Sequence, residues 1–232
     1  MSGWFAAICD HRFAPTSLWS VAALVRRLLT KSGDLAMFTE FNEDARLILQ
    51  ILPLAGHQPV LSGAGPGRQL FGKLVDAARA PGEPEPAYLD FQGVTVATAS
   101  FLREGVIAFR DYARSSSPLL YPVIANASAP VTEEFEFFLR QRKDAFWACR
   151  LTETGTPCDP QLLGELDDAH RLTFALVARL GTATAPRLAA QSDEKLAPTA
   201  WNNRLSFLAA RGLLIERKAG KTKTFTPVLE GA

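Results

Sequence analysis

The fold class of this chain follows from the stretch Tyr88-Leu-Asp-Phe-Gln-Gly-Val-Thr-Val-Ala-Thr-Ala-Ser-Phe-Leu-Arg-Glu-Gly-Val-Ile-Ala-Phe109. It opens on a largely apolar run that is typical of a buried strand, and from Ser100 its apolar residues recur at helical spacing. The polar loop between the two parts, residues 95–100, joins the carboxyl end of a strand to the amino end of a helix. Open α/β sheets usually bind ligands at such a position, so this loop is the first candidate functional site.

Strands and helices alternate on both sides of this stretch. Short apolar runs predict strands, and apolar residues that recur every three or four positions predict helices. From Tyr88 to Leu151 the order is β-α-β-α-β, which favours the α/β class, with a small sheet connected by crossover helices. The predicted strands are His57–Ser62, Tyr88–Phe91, Leu119–Ala125 and Phe146–Leu151, and the predicted helices are Arg68–Arg79, Ser100–Tyr112 and Glu133–Lys143.

The first 57 residues are predicted to be a helical extension. Leucine and valine recur at helical spacing over residues 18–29, which indicates a helix that covers the core or a partner. The alternative is a basic helix on a membrane surface, because Arg26 and Arg27 interrupt the run. The run is shorter than the roughly 20 residues of a membrane span, so we expect a cytoplasmic protein. Met37 is a second potential start, and it would leave this helix out of the protein.

Composition is that of an ordinary globular protein. The chain has 232 residues, of which 47% are hydrophobic and 21% are charged, and its formal net charge is +1. The charge is uneven, because residues 187–227 hold eight Lys or Arg against three Asp or Glu, a net of +5, which leaves −4 for the remainder. No field of the whole protein drives binding to a membrane or nucleic acid, but its carboxyl-terminal part is basic.

Motifs for metal sites, disulfide frameworks and catalysis are missing from the sequence. The cysteines are odd in number and lack CxxC spacing, and the histidines lack HExxH-like spacing. These residues are Cys9, Cys149, Cys158, His11, His57 and His170. Asp90 has no second carboxylate or histidine near it in sequence, so a structural role is expected. We therefore expect no metal, no cofactor and no enzymatic activity.

One near-match to a nucleotide-binding loop occurs. The stretch Gly67-Arg-Gln-Leu-Phe-Gly72-Lys73 fits the first seven positions of a phosphate-binding P-loop, but Leu74 replaces the Ser or Thr that holds magnesium. A weak anion site at a helix amino end is one alternative. The favoured interpretation is a glycine-rich turn into a packing helix.

Residues 89–94, Leu-Asp-Phe-Gln-Gly-Val, and residues 98–102, Thr-Ala-Ser-Phe-Leu, resemble the STAS domain of anti-sigma-factor antagonists. The STAS-like variant whose strand reads Leu-Asp-Phe-x-Gly-Val and whose helix opens with Ser-Phe is the most similar. The resemblance covers roughly residues 58–151. It implies a kinase-like or anti-sigma-type protein partner, which would phosphorylate a serine or threonine at the start of the helix and thereby switch a protein contact. By position Ser100 is the best match and Thr98 the second.

A phosphate at that place would meet free backbone N–H groups and a favourable helix dipole. The alternative is that Ser100 simply caps its helix, since serine is a preferred capping residue. The family's Asp-Ser-Ser-Gly reads Thr98-Ala99-Ser100-Phe101 here, so its aspartate and glycine are absent.

The pattern changes after residue 162 to three helices and a basic hairpin. The first helix runs from about Leu166 to Leu180, and the second covers Thr184–Gln191. Pro198 opens the third helix, in which Trp201 shares the apolar face with Leu205 and Leu208, so Trp201 is expected in the core. The two strands are predicted at residues 213–217 and 223–228, with residues 218–222 at the tip.

Thr184-Ala-Pro-Arg-Leu-Ala189 and Arg204-Leu-x-x-Leu208-x-x-x-Gly-Leu-Leu214 resemble the winged helix-turn-helix of bacterial transcription regulators. The resemblance implies that the third helix enters the major groove of double-stranded DNA, that lysines on the wing contact phosphates, and that the protein is a homodimer. The implied DNA-binding residues are Thr199, Asn202, Asn203, Arg204, Lys218, Lys221 and Lys223.

Together these patterns predict a non-enzymatic transcription regulator, in which a STAS-like module senses or docks a partner and a winged helix binds DNA. The alternative is a protein–protein adaptor of a bacterial signalling or defence system, whose winged helix contacts protein. The predicted domains are an extension over 1–57, a STAS-like domain over 58–152, a linker over 153–161 and a winged helix over 162–232. Gly155–Gln161, with its two prolines, is expected to carry the effect of the loop at Ser100 to the winged helix.

Overall fold

The computed structural model describes residues 46–230, and all of them fall within one compact unit. The helix predicted over residues 18–29, the choice of Met37 as the start, Cys9 and His11 lie outside the described residues.

Strands and helices alternate over most of the described chain. The strands are β1 (Leu47–Gln50), β2 (Val60–Leu61), β3 (Glu85–Asp90), β4 (Val96–Ala97), β5 (Leu120–Ala125), β6 (Ala145–Leu151), β7 (Pro157–Gly164), β8 (Leu214–Ala219) and β9 (Thr222–Pro227). The helices are α1 (Ile51–Leu54), α2 (Ala64–Ala77), α3 (Ala99–Leu102), α4 (Ala108–Ser116), α5 (Ala129–Gln141), α6 (Asp168–Leu180), α7 (Ala185–Gln191) and α8 (Pro198–Ala210). A π-helical turn, Arg103–Ile107, joins α3 to α4 without a break, and we call residues 99–116 the α3–α4 helix.

The central sheet has the strand order β1-β3-β5-β6-β7. Its first four strands are parallel, and β7 runs antiparallel to β6. Pro122 in β5 pairs with Ala87 of β3 but has no ladder pair in β6, because the β5–β6 ladder begins at Ile124, so its missing N–H is tolerated within a central strand. The prediction of the α/β class is confirmed, and the structure shows that the central sheet is mostly parallel.

Residues 47–50 belong to this sheet and not to a helical extension. Leu47 pairs with Ala87 and Gln50 with Asp90, so β1 is an edge strand of the central sheet. The apolar run over residues 47–52 is too short for its periodicity to separate strand from helix, so the predicted helical extension is wrong over residues 47–50. Pro53 lies in the single turn of α1, where no intrahelical N–H bond is required.

Residues 153–161 do not form a linker. They make a tight turn, in which Thr152 N–H donates to the Thr156 carbonyl, and then the first part of β7. Pro157 and Pro160 signalled a linker, but both are compatible with an edge strand, and Pro160 lies where the β6–β7 register shifts. The chain therefore enters its carboxyl-terminal helices directly from the sheet.

Both faces of the sheet are buried, as its parallel strands require. One face packs against α2, the α3–α4 helix and α5, and the opposite face packs against α6, α8 and β8. Alternate strand residues divide between the two cores. The first core takes Leu89, Leu120, Ile124, Phe146 and Ala148, and the second takes Tyr88, Tyr121, Val123, Ala145, Trp147 and Cys149.

The glycines of the P-loop-like stretch lie inside a helix. Gly67 and Gly72 are both residues of α2, so no phosphate-binding loop exists there. A Cβ added to Gly67 would stand 2.8 Å from the Phe101 carbonyl oxygen, and one added to Gly105 would stand 3.1 Å from the Gly67 carbonyl oxygen. The glycines at 67 and 105 therefore let two helices cross closely, in agreement with the packing interpretation.

Candidate nucleic-acid interface

The carboxyl-terminal helices are held by an apolar stripe on α8. Trp201, Leu205 and Leu208 recur at helical spacing, and all three are fully buried. The expected core position of Trp201 is confirmed. Because these residues occupy one face of α8, the opposite face carries polar side chains: Thr199 and Asn203 are exposed, and Asn202 is half-buried.

A tight hairpin follows α8. Strands β8 and β9 pair from Leu214 and Pro227 to Ala219 and Thr222. Gly220 opens the two-residue turn with φ +60°, a conformation that type I′ and II′ turns require and that glycine adopts without strain. Phe225 is fully buried, and its backbone bonds in both directions with Ala183, which ties the hairpin to the segment before α7. The tip is thus held at a fixed place beside α7 and α8.

Four predicted DNA-binding residues line one cleft between α8 and the hairpin. The cleft has a volume of about 510 Å³, and its lining includes Asn202 from the helix and the three hairpin lysines. Sequence reasoning missed its other contributors, because they come from α7 and from the turn and carry no charge. The full lining is Ala185, Pro186, Asn202, Lys218, Gly220, Lys221, Thr222 and Lys223.

The lysines of this cleft differ in how far their charge is compensated. Lys218 and Lys221 are exposed. Lys223 places its Nζ 2.7 Å from the Glu216 carboxylate. Lys218 stands directly opposite Lys223 in the ladder, and like charges in such a pair destabilise a hairpin. The arrangement concentrates positive charge at a cost to the hairpin, and an anionic partner would offset that cost.

Arg204 is bound within the protein. Its Nη1 lies 2.6 Å from the Glu194 carboxylate, in the turn before α8, and its guanidinium lies 5.2 Å from the centre of the Trp201 ring. Only 21% of its side chain is exposed. The structure therefore brings Asn202 and the lysines together, whereas Arg204 faces Glu194 and does not line the cleft.

The base of this region is attached to the central sheet by buried polar contacts. The Trp147 indole N–H donates to the Leu213 carbonyl at 2.9 Å. The Asp144 carboxylate, which is 3% exposed, accepts from Arg110 at 2.8 Å and from Arg211 at 2.9 Å. These contacts fix the carboxyl end of α8 on the sheet, and no local sequence pattern predicted them.

The predicted switch residues lie at the amino end of the α3–α4 helix. Thr98, not Ser100, is the N-cap residue, because the helix begins at Ala99. The Thr98 hydroxyl accepts from the Gly63 N–H at 3.3 Å and lies 3.2 Å from the Ser100 hydroxyl. The interpretation of Ser100 as the cap is corrected, since its backbone is already helical.

An acidic side chain occupies the place where a phosphate would bind. The Glu134 carboxylate of α5 accepts from the Ala99 N–H at 2.7 Å, and this satisfies the first free donor of the helix. A phosphate on Ser100 would therefore compete with Glu134 for this helix end.

Asp90 has the structural role that its isolation predicts. Its carboxylate accepts from the Gln92 N–H at 3.0 Å and from the Asn126 side chain at 2.9 Å. The side-chain Oδ1 of Asn126 in turn accepts from the Leu151 N–H at 2.9 Å. This chain of bonds ties together the carboxyl ends of β3, β5 and β6.

Within residues 46–230 no three His, Cys, Asp or Glu side chains gather closely enough to hold a metal ion. None of the described helices combines the length and hydropathy of a segment that crosses a bilayer. Comparison with family models, curated proteins and solved structures finds no match to this chain.

Proposed function

We propose that the protein is a non-enzymatic regulator that binds double-stranded DNA through α8 and the β8–β9 hairpin, with the arrangement of a winged helix-turn-helix. The observation that carries this proposal is the shared cleft, in which Asn202 faces the lysines at 218, 221 and 223. An amide and a cluster of ammonium groups are the two kinds of donor that DNA recognition combines.

The division of labour follows from the chemistry of these groups. Lys218 and Lys221 would neutralise phosphates, which gives affinity without sequence preference. Asn202 and Asn203 can donate and accept at an adenine edge in the major groove, and Thr199 can bond to either partner of a base pair. Arg204 would join them only after leaving Glu194, so we assign it no base contact.

We propose further that the α/β part is a STAS-like docking module. Its carboxyl-edge loop, residues 95–100, would contact a protein partner of the kinase-like or anti-sigma type. The supporting geometry is the half-buried pair of hydroxyls of Thr98 and Ser100 beside the Glu134 carboxylate. A phosphate added there would compete with the Glu134 carboxylate for the end of the helix, so that one anion would replace another.

The test is binding of the full chain to random-sequence duplex DNA over about 50 to 200 mM salt. A DNA-binding protein gives an affinity that falls steeply as salt rises, because phosphate contacts release counterions. The matched pair of variants is Lys221→Gln in the cleft and Lys73→Gln in α2, on the opposite face of the sheet. We expect weaker binding from the first and unchanged binding from the second.

Affinity that does not change with salt, or that ignores Lys221→Gln, would contradict the DNA proposal. That result would favour the other function the sequence predicts, a protein–protein adaptor that uses α8 and the hairpin for protein contact.

A further inference from the structure

We infer that the α3–α4 helix couples the loop at its amino end, residues 95–100, to the carboxyl end of α8, through Arg110 and Arg114. The helix would thereby regulate the position of the surface to which DNA binding is assigned above. The effect of this coupling on DNA binding rests on the proposed function. The contacts that link the loop to α8 are made by described residues and do not depend on it.

The input end of the route is a small set of exchangeable contacts. Glu134 reaches from α5 to the Ala99 N–H at 2.7 Å, and Thr98 joins the Gly63 N–H to the Ser100 hydroxyl. These residues are partly exposed, so a partner or a new charge at residues 95–100 can reach them. Loss of the Glu134 contact would leave the first backbone donor of the helix without its carboxylate acceptor.

The middle of the route is an irregular turn. Residues Arg103–Ile107 are π-helical, and the Ala108 N–H donates to the Arg103 carbonyl five residues earlier. A π turn is uncommon and carries one residue more than the regular helical repeat, so it often marks functional positions. Gly105 packs closely at this turn against Gly67, because an added Cβ would stand 3.1 Å from the Gly67 carbonyl oxygen. The two halves of the helix can therefore change register at a defined point.

The output end carries two arginines one helical turn apart. Arg110 reaches the Asp144 carboxylate at 2.8 Å and the Ala145 carbonyl at 3.3 Å. Arg114 donates to the Leu120 carbonyl at 2.9 Å and lies 3.9 Å from the centre of the Tyr121 ring. Both side chains pass the amino ends of the strands and reach the layer on the opposite face of the sheet.

Both arginines are connected to the carboxyl end of α8, Arg110 through the Asp144 carboxylate and Arg114 by direct packing. Asp144 holds Arg110 and Arg211 on one carboxylate oxygen, at 2.8 Å and 2.9 Å. A Cβ added to Gly212 would stand 3.2 Å from the Arg114 side chain, so the arginine stem packs directly on this turn. A displacement of the α3–α4 helix moves Arg110 and Arg114, and through them Arg211 and Gly212, where α8 ends.

The link between the α3–α4 helix and α8 depends on the buried charge of Asp144. Its side chain is 3% exposed and has two arginine partners, while the Arg110 side chain is 2% exposed. A buried charge that loses a partner is strongly destabilised, so the carboxylate keeps both guanidiniums together when either one moves.

The test is hydrogen exchange of the full chain, followed by mass spectrometry, after Glu134→Ala. The control is Glu133→Ala, an exposed residue one position earlier on α5. We expect faster exchange in residues 99–116 and also in residues 209–213, by about fivefold or more, the lower end of typical coupling between sites. The control should change neither segment.

The second arm repeats Glu134→Ala in a chain that carries Arg211→Met, with Arg179→Met as the matched exposed control. Arg211 is 39% exposed, so methionine retains its stem and removes the guanidinium, together with its bond to Asp144 and its contact 5.3 Å from the centre of the Phe207 ring. We expect the effect on residues 209–213 to fall by at least half, while the effect on residues 99–116 stays. The Arg179→Met chain should retain both effects.

Unchanged exchange in residues 209–213 after Glu134→Ala would overturn the inference, and so would unchanged exchange in residues 99–116. An effect of full size in the Arg211→Met chain would overturn the route through Asp144. If Glu134→Ala fails to fold, Glu134→Gln, which removes the charge but retains an acceptor, provides the same comparison. Because no DNA is present, a failure of DNA binding leaves these results intact.

Discussion

Asp144, at the amino end of β6, binds Arg211, at the carboxyl end of α8, with 2.9 Å between Oδ2 and Nη1. The two residues are far apart in sequence, and the contact joins the central sheet to the helix that carries the proposed DNA contacts. The same Asp144 oxygen accepts from Arg110 of the α3–α4 helix at 2.8 Å. One buried carboxylate thus connects both helical layers of the protein.

Removal of the Asp144 charge should strongly destabilise the protein. We expect Asp144→Asn to lower the free energy of unfolding by about 2 to 3 kcal/mol, because the buried Arg110 guanidinium loses its buried counterion and keeps only the exposed Asp111 carboxylate. The control is Asp159→Asn, which removes an exposed partner of Arg150 and should cost under about 1 kcal/mol. Urea unfolding measures both values. Equal effects of the two variants would show that the Asp144 cluster contributes no more than a surface ion pair.

Two glycines of α2 should respond in opposite directions to alanine. We expect Gly67→Ala to destabilise by about 1 to 3 kcal/mol, since its Cβ would meet the Phe101 carbonyl oxygen at 2.8 Å. Gly72 has no atom within 4 Å of such a Cβ, so Gly72→Ala should stabilise by about 0.5 to 1 kcal/mol through helix propensity. Thermal unfolding of both variants is the measurement. A stable Gly67→Ala protein would contradict the close helix crossing.

The two described cysteines should differ in reactivity. Burial raises the pKa of the Cys149 thiol to about 12, from 9.0, because the thiolate is poorly solvated there. The neutral Cys149 thiol stabilises the folded protein fully below pH 9, its unfolded pKa, and this stabilisation is lost as the pH rises towards the folded pKa of about 12. At mildly alkaline pH we expect iodoacetamide to modify the half-exposed Cys158 well before Cys149, as site-resolved mass spectrometry can follow. Equal labelling of both in the native protein would contradict this burial, and denaturant should abolish the difference.

Two cleft residues should affect DNA binding in different ways. If the Asn202 amide reads a base edge, Asn202→Ala should cost about 1 to 3 kcal/mol on a preferred duplex and relax the preference at one base position. Lys221→Gln should instead weaken binding equally on all sequences, because a phosphate contact carries no sequence information. Selection of bound duplexes from a random pool, followed by affinity measurement, separates the two. A loss of preference with Lys221→Gln alone would reverse these assignments.

Local sequence pattern was sufficient wherever an element buries a regular stripe. The face of Trp201, Leu205 and Leu208 predicted α8 and its buried side, and the apolar run over residues 119–125 predicted β5. Such elements are specified by residues that are neighbours in sequence, so periodicity reveals them. The same reasoning predicted the alternation of strands and helices from which the α/β class followed.

Features that depend on distant residues were not predictable from the sequence. β1 and β7 are edge strands whose pairing partners decide their conformation, and the prolines of β7 indicated a linker instead. The first N–H of the α3–α4 helix is bound by the Glu134 carboxylate, which belongs to another helix. The sequence did not show this contact, and Ser100 was considered as the N-cap residue where the structure has Thr98. The ion pair between Arg204 and Glu194 could likewise not be predicted from the sequence, since the two side chains meet across the turn between α7 and α8.

The salt dependence of a double variant is the sharpest test of DNA binding by the cleft between α8 and the hairpin. We would measure the slope of log affinity against log salt on random duplex DNA for the native chain and for Lys218→Gln with Lys221→Gln. If both lysines contact phosphates, the magnitude of the slope falls by about two. An identical slope for the two proteins would contradict a DNA-binding role for this cleft.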